Sequence, residues 1–459
     1  MAEISPDRDQ QFARMRETAR GIFTSALQNA SVESAFSRNV HCERGVLRIC
    51  EDLYDLDSYN RVFVVSIGKA AHTMAAALEA QAGNRFEGIV ATSVDPASLG
   101  QTGQIRGFRY FHGGHPTPSA ESIRAAESIL KSLASLDANS LVVFLLSGGG
   151  SSIAEKPIAA EIFLPDLIAT YRALVHSGAP IAAINAIRKH LSAVKGGRLA
   201  QAAYPAQQVS ILVSDVPDST PDALASGPTM PDSTSIHDCE RIAAEYNLIA
   251  QFPASVADLF RQRALEETPK SDDPAFVRAR WWTVLSNKVA IDEAAIAATR
   301  AGFAVEVDNS CDDWDYEKAA GYLLTRLREL RSKVSRVCLL SGGEVTVTVR
   351  NGGIGGRNQQ FALACAEKIV GEDLTVLSAG TDGIDGNSPA AGAVADGSTL
   401  FRARLQSGFQ SNDHAAAADA VRQSLANFNA FPIFDAIGDA ILTGPTGNNL
   451  RDLRILLAY

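Results

Sequence analysis

The sequence predicts an α/β protein of two domains, the first built on a mostly parallel β-sheet covered by helices. Short apolar runs rich in β-branched residues alternate with longer amphipathic runs, which is the rhythm of such sheets. The chain has 459 residues and is 46% hydrophobic. At about 150 residues per domain, that is enough material for more than one buried core.

In the first half of the chain, three predicted strands lead into loops or helices. RVFVVSI (61–67) precedes the helix-like KAAHTMAAALEAQAG, and LVVFLLS (141–147) precedes a glycine loop. QVSILVSD (208–215) precedes a loop rich in proline and aspartate. Ligands of open parallel sheets bind outside the carboxyl ends of strands, so we expect these loops to face one crevice.

A polar stretch, EETPKSDDP (266–274), is the predicted linker between the domains. After it, WWTVLSN starts a new strand and NKVAIDEAAIAATRAG a new helix, and the alternation continues to LTVLSAGTDG (374–383). We therefore predict an amino-terminal domain over residues 1–268 and a carboxyl-terminal domain over residues 275–459.

Composition argues against several classes of protein. With 42 basic and 52 acidic residues the net charge is −10, and no Lys/Arg cluster predicts a nucleic-acid partner. The six cysteines lack metal-like spacing and are expected to be reduced packing thiols. MAEISPDRDQ does not read as a signal peptide, and no run approaches the roughly 18 apolar residues of a membrane span. We expect a cytoplasmic protein with no membrane partner; the pattern predicts no oligomeric state.

The stretch FLLSGGGSSI is the first candidate site. Three consecutive glycines remove every Cβ, which allows backbone N–H groups to point at an anion such as phosphate. The alternative is a tight turn without a ligand, and neither GxGxxG nor a Walker pattern is present to decide between them. The candidate phosphate ligands are Ser147, Gly148, Gly149, Gly150 and Ser151.

Three charged residues follow strands or glycines in the same way. Lys69 stands between a strand and a helix, where its ammonium could reach a transferring phosphoryl group. Asp215 ends a strand and suits either Mg²⁺ binding or proton transfer from a hydroxyl. Arg357 opens a helix after four glycines, so its planar fork could clamp a carboxylate or phosphate. The alternatives are a surface lysine, a turn-capping aspartate and an exposed arginine.

Other candidates lie in two further loops. Asp382 and Asp385 in TDGID resemble ligands of a hard cation, although Asp-Gly is first of all a turn signal. His115 in GGHPTPS is expected to order its loop rather than to perform acid–base chemistry.

Eight motifs occur along the chain in the order SIGKAA, HPTP, SGGGSS, INAIRKHLSAVKGGRLA, SDVP, GGRNQQFALA, AGTDGIDG and TGPTGNNLRDL. Together they resemble the class II glycerate 2-kinases, whose carboxyl-terminal part is called the MOFRL domain, over nearly the whole chain. The resemblance implies a Rossmann-like domain followed by a MOFRL-type α/β domain, with the active site in the cleft between them.

The resemblance also implies an activity. The enzyme would use ATP and Mg²⁺ to phosphorylate the 2-hydroxyl of D-glycerate, giving 2-phosphoglycerate and ADP. The family's catalytic lysine, strand-end aspartate and glycine-flanked arginine match Lys69, Asp215 and Arg357, and Asp215 is also the magnesium candidate. Further candidates for the substrate or metal loops are Arg188, Asp218, Asp382 and Asp385.

One departure bears on that assignment. After Ser-Asp-Val-Pro the family usually continues with Gly-Asp, where this chain has Asp218-Ser219, so a carboxylate is displaced and a flexible glycine is lost. Three alternatives stay open: a hydroxypyruvate reductase-type oxidoreductase, a kinase for another small sugar acid, and a ligand-binding protein without catalysis. Against the first, the chain has no GxGxxG followed by an acidic residue about 20 positions later.

Overall fold

The computed structural model describes residues 5–95, 103–349, 352–406 and 414–459 of the chain. It divides into two compact units. The parallel-sheet unit is Val32–Leu285, and the mixed-sheet unit combines Met1–Ser31 with Ser286–Tyr459. The six cysteines are free thiols, and the expected packing role is confirmed for the four that are buried in apolar cores, which are Cys239, Cys311, Cys338 and Cys365.

The elements that the structure describes are numbered in chain order. The strands are β1 (Val40–Glu43), β2 (Val46–Ile49), β3 (Asp52–Asp55), β4 (Arg61–Ile67), β5 (Glu87–Thr92), β6 (Phe108–His112), β7 (Ser140–Ser147), β8 (Gln207–Val213), β9 (Ala279–Leu285), β10 (Ala304–Val307), β11 (Val337–Ser341), β12 (Leu374–Gly380), β13 (Gly392–Asp396), β14 (Ala440–Ile441) and β15 (Asp452–Ala458). The helices are α1 (Pro6–Asn29), α2 (Val32–Asn39), α3 (Ala71–Ala82), α4 (Ala120–Leu133), α5 (Gly150–Ile153), α6 (Leu164–His176), α7 (Ile181–His190), α8 (Arg198–Ala203), α9 (Ile236–Glu245), α10 (Ala254–Arg261), α11 (Asn287–Arg300), α12 (Tyr316–Arg331), α13 (Arg357–Lys368), α14 (Thr399–Gln406), α15 (His414–Ala426) and α16 (Phe431–Ala436).

A six-stranded sheet forms the core of the parallel-sheet unit. Its strand order is β6-β5-β4-β7-β8-β9, and every neighbouring pair is parallel. All eight residues of β7 are buried, as expected for a continuous apolar run in a central parallel strand. From β4 the chain continues through β5 and β6 to one edge of the sheet, and from β7 it continues through β8 and β9 to the other edge. The direction in which strands are added therefore reverses between β4 and β7. Such a switch point opens a crevice at the carboxyl ends of the two strands.

The units do not divide where the predicted linker lies. β9 pairs with β8 along its length, so residues up to Leu285 belong to the parallel-sheet unit. The polar stretch near residue 270 is fixed by hydrogen bonds: the Thr268 hydroxyl is buried and donates to Asp232 Oδ2 at 2.9 Å, and the Asp273 carboxylate accepts from Ala275 N at 2.8 Å. These internal bonds explain why a stretch with the composition of a linker is not one.

Helix α1 provides the second difference, because it belongs to the mixed-sheet unit. Its buried residues Ile22 and Phe23 share one core with Ile291 and Ala294 of α11 and with strand residues of that unit. The Arg16 guanidinium also forms an ion pair with the buried Asp396 carboxylate. The sequence of α1 does not by itself identify the surface that the helix covers.

The mixed-sheet unit contains the strands β10-β11-β15-β12-β13-β14 in that order. β10 and β11 are parallel, whereas β15 lies antiparallel between β11 and β12. The amino end of β15 therefore lies beside the carboxyl ends of β11 and β12. Side chains from three chain segments meet at this edge of the sheet.

Candidate active site

The loops after β4 and β7 are joined at the switch point of the parallel sheet. The backbone N–H of Lys69 donates to Gly148 O at 2.9 Å, and the N–H of Ala70 donates to Ser147 Oγ at 3.1 Å. Gly68 has φ +130°, and a Cβ there would lie 2.2 Å from Ser147 Oγ. Backbone bonding thus fixes the start of the Lys69 side chain, while that side chain itself is exposed.

Two glycines of the loop bring the predicted site residues of this unit together. A Cβ on Gly148 would lie 2.0 Å from Asp215 Oδ2, so the carboxylate lies directly against the loop. A Cβ on Gly149, which has φ +81°, would lie 3.1 Å from Lys69 Cγ. Lys69 and Asp215 therefore flank the same turn, as expected for loops at the carboxyl ends of neighbouring parallel strands.

His115 also reaches this turn, which the sequence did not predict. Its ring approaches Gly149, where a Cβ would lie 2.9 Å from His115 Cδ2. Burial lowers the pKa of His115, and the neighbouring Lys69 charge lowers it further. Both effects favour the neutral imidazole. The GGHPTPS motif was the available signal, and from it we expected His115 to order its loop.

The members of SGGGSS have different surroundings. Ser147 and Gly150 are buried: Ser147 Oγ accepts from Ala70, and a Cβ on Gly150 would lie 2.8 Å from Ala225 Cβ. Ser151 Oγ is 2.7 Å from Ser226 Oγ. Helix α5 is a single turn, so its dipole adds little positive potential. Gly148, Gly149 and Ser151 are the loop members with exposed area for a phosphate.

Asp218 and Arg188 have other environments in this unit. Asp218 is exposed in the loop that follows Asp215. The Arg188 guanidinium lies over the Tyr171 ring, with Cζ 4.4 Å from its centroid. Tyr171 donates to Glu155 Oε2 at 2.5 Å, and burial raises the pKa of Tyr171 to about 12 against the opposing effect of Arg188. Stacking on a fixed ring therefore holds Arg188 in place.

Arg357, in the mixed-sheet unit, already has carboxylate partners. Its Nε and Nη2 donate to the two oxygens of Asp452 at 2.7 and 3.0 Å, and Nη2 is 2.8 Å from Glu344 Oε1. Burial lowers the pKa of Arg357, but the two carboxylates outweigh burial and raise it above its ordinary value. The sequence predicted that the Arg357 guanidinium would have its hydrogen-bond donors available to a ligand. In the structure, the guanidinium is instead paired with Asp452, the first residue of β15.

A cavity of about 520 Å³ lies next to Arg357. Its wall includes the glycines before α13 together with Asp382, Asp385 and Phe428. This cavity is thus lined by all three candidate residues of the mixed-sheet unit, which are Arg357, Asp382 and Asp385.

Asp385 caps helix α13. Its carboxylate is buried and accepts hydrogen bonds from Asn358 N at 3.1 Å, Gln359 N at 2.9 Å and Gln359 Nε2 at 3.0 Å. A Cβ on Gly356 would lie 2.2 Å from Asp385 Oδ1, so glycine is needed for this approach. Burial raises the pKa of Asp385 to about 6. Capping explains this residue better than the predicted cation binding.

Replacing Asp385 with alanine is expected to lower the free energy of unfolding by about 2 kcal/mol, because the buried N–H groups at the start of α13 lose their acceptor. Urea denaturation would measure the loss. Asp382→Ala is the control, since Asp382 is half-exposed and its carboxylate accepts from Ile384 N within its own turn. Equal losses for the two variants would contradict the capping role.

Comparisons with known proteins identify the family of this chain. A family model described as "Domain of unknown function (DUF4147)" matches residues 18–261, and one described as "MOFRL family" matches residues 337–452. The D-glycerate 2-kinase of Thermotoga maritima is 34% identical over 403 residues, which cover 86% of this chain and 90% of that protein. The chain belongs to the glycerate 2-kinase family. The resemblance predicted from the ordered motifs is thereby confirmed.

Further similarities extend this glycerate 2-kinase assignment to the fold. The crystal structure of a glycerate kinase from Thermotoga maritima has a TM-score of 0.81 and 31% identity, covering 97% of this chain and 100% of that chain. A relative from Agrobacterium vitis, provisionally named hydroxypyruvate reductase, is 35% identical over 96% of this chain and 94% of its own. The predicted α/β fold with a MOFRL domain is confirmed. Among the described residues, no helix is both long and apolar enough to cross a membrane.

Proposed function

We propose that the protein transfers the γ-phosphoryl group of ATP to the 2-hydroxyl of D-glycerate, giving 2-phosphoglycerate and ADP. The observation that carries this proposal is the convergence of Lys69 and Asp215 on the Gly148–Gly149 turn at the switch point of the parallel sheet. Phosphoryl transfer needs a cation at the moving group, donors for the phosphates and a carboxylate at the acceptor, and this turn offers all three. Membership of the glycerate 2-kinase family supports the choice of acceptor.

Each residue is assigned a task in the transfer. Backbone N–H groups of the Gly148–Ser151 loop bind phosphate oxygens, and the exposed Lys69 ammonium neutralises the charge that develops on the γ-phosphoryl group. The glycerate 2-oxygen forms a bond to phosphorus as the bond to the ADP oxygen breaks. Asp215 is placed to take the hydroxyl proton or to bind Mg²⁺, because a carboxylate performs either role.

The carboxylates of the Asp215 loop fit Mg²⁺, which prefers oxygen ligands. In the described part of the chain, no group of three or more His, Cys, Asp or Glu residues is arranged to hold a metal. The residues therefore fit an ion whose other ligands are nucleotide phosphates and water, with Asp215 from the protein and Asp218 nearby in sequence. When bound, Mg²⁺ would neutralise charge on the phosphate oxygens.

Arg357 is proposed to bind an anionic end of the ligands with the part of its guanidinium that Asp452 and Glu344 leave available. Their two carboxylates hold the planar group in one orientation. A preoriented guanidinium loses less conformational freedom when it binds an anion than a mobile one does.

Glycerate-dependent ADP release from MgATP is the expected result with the purified protein. A coupled assay would measure the ADP, and NMR of the product would identify the phosphorylated carbon. A panel of hydroxy acids of increasing length separates D-glycerate from other small sugar acids. NADH oxidation by hydroxypyruvate, without any kinase activity, would overturn the proposal in favour of an oxidoreductase.

A further inference from the structure

A second cavity, of about 400 Å³, lies in the parallel-sheet unit next to β8 and β9. Its wall has an apolar part formed by Leu212 and Met230 and an aromatic ring from Trp281. Thr283 and Asp222 contribute polar groups. A mostly apolar cavity of this size with a few polar groups is typical of a small-molecule site. Leu212, Met230, Trp281 and Thr283 were not candidates from the sequence.

We propose that this second cavity binds the nucleoside of the phosphoryl donor, an inference that rests on the proposed kinase function. Trp281 is the main reason. Its Nε1 donates to Thr229 O at 2.8 Å and its ring is 6.2 Å from that of Phe276, so the indole is fixed while remaining half-exposed. A fixed aromatic face at the wall of a cavity is suited to stacking with a planar base.

One acidic residue of the cavity wall, Asp222, offers hydrogen-bond acceptors to a nucleoside. Lys189 Nζ is bonded to Asp222 Oδ2 at 3.0 Å and to Asp232 Oδ1 at 3.2 Å. Asp222 lines the cavity, whereas Lys189 and Asp232 are buried behind it. Asp222 is partly exposed, and its oxygens can accept hydrogen bonds from a ribose hydroxyl or an amino group of a base.

The cavity is connected through the chain to the proposed phosphate loop. Leu212 precedes Asp215 by three residues, roughly 10 Å of extended chain. The Pro221–Ser226 segment begins at the cavity and ends where Ala225 approaches Gly150 and Ser226 meets Ser151. A nucleoside in the cavity would therefore direct its phosphates toward the Gly148–Ser151 loop.

Steady-state kinetics of paired variants would test this site. Trp281→Leu is expected to raise the KM for ATP about tenfold through the loss of stacking, with the KM for glycerate within twofold of the parent. Trp282→Leu is the matched control, because the next residue of a strand points to the opposite face and Trp282 donates to Asp52. Thr283→Phe narrows the cavity from an exposed position and should raise the ATP KM even if the Trp281 variant is unstable. An unchanged ATP KM in both Trp281→Leu and Thr283→Phe would overturn the inference.

A binding measurement separates this inference from the kinase proposal. With Trp282 and Trp314 both replaced by phenylalanine, Trp281 is the only tryptophan, and adenosine should quench its fluorescence whereas D-glycerate and tripolyphosphate should not. Quenching by glycerate or tripolyphosphate but not by adenosine would overturn the nucleoside site. Quenching by adenosine in a protein that releases no ADP with glycerate would support the site and overturn the kinase proposal.

Discussion

Lys69→Met is expected to lower kcat for glycerate phosphorylation at least about a hundredfold. A contact that is made to charge developing in the transition state contributes a few kcal/mol, and each 1.4 kcal/mol corresponds to about a factor of ten in rate. The fold should persist, because the bond that joins this loop to Gly148 comes from the backbone N–H of residue 69 and not from the ammonium. The measurement is kcat at saturating MgATP and glycerate, with thermal melting of both proteins.

The control for this prediction is Lys131→Met, which removes an exposed lysine from helix α4 of the same unit. That variant should keep its kcat within twofold of the parent. A well-folded Lys69→Met protein with near-normal turnover would show that Lys69 is a surface lysine without a part in the transfer.

Arg357→Lys is expected to reduce kcat/KM for glycerate about tenfold or more. Lysine keeps the charge but cannot reproduce the planar pair of hydrogen bonds to Asp452, so the orientation of the cation is lost. Stability should fall as well, by about 1.5–3 kcal/mol, because a fully buried carboxylate loses a charged hydrogen bond. Initial rates over a matrix of ATP and glycerate concentrations, together with urea denaturation, would measure both effects.

The pattern of constants identifies what Arg357 binds. A rise in the glycerate KM alone indicates contact with the substrate carboxylate, whereas a change in kcat or in the ATP KM indicates contact with phosphates. Arg422→Lys is the matched control, an exposed arginine of the same unit that is paired with Glu367 and Asp419. Kinetic constants within twofold of the parent for Arg357→Lys would limit Arg357 to a structural role.

The arrangement of Lys69 and Asp215 on one turn was predictable from the sequence. Each follows an apolar strand in a β-loop-α pattern, and parallel strands bring their carboxyl ends to a common edge. Local patterns carry that information, because the strand, the glycine loop and the charged residue are adjacent in the chain. The family motifs added the identity of the phosphoryl acceptor, D-glycerate, which a cluster of charged residues does not specify.

The partner of Arg357 was not predictable in this way. Asp452 is 95 residues further along the chain, and the two meet only because β15 inserts antiparallel between β11 and β12. The order of strands in a sheet depends on how whole elements pack against one another. The apolar sequence of β15 is compatible with any central position in the sheet, so it does not identify the neighbouring strands. The capping contacts of Asp385 were not predictable for a related reason, since an Asp-Gly pair looks the same in the sequence whether it binds a cation or caps a helix elsewhere in the chain.

The assignment of α1 to the mixed-sheet unit has a consequence for the order of events during synthesis. Ile22 and Phe23 leave the ribosome before the parallel-sheet unit, whereas α11, which shares their core, emerges only after that whole unit has been made. That intervening unit is contiguous and can complete its sheet while α1 still lacks its partner. A fragment beginning at Ser286 would expose the apolar surface that α1 covers. Helix α1 and the segment from Ser286 onward therefore form one folding unit whose two parts are synthesised at different times.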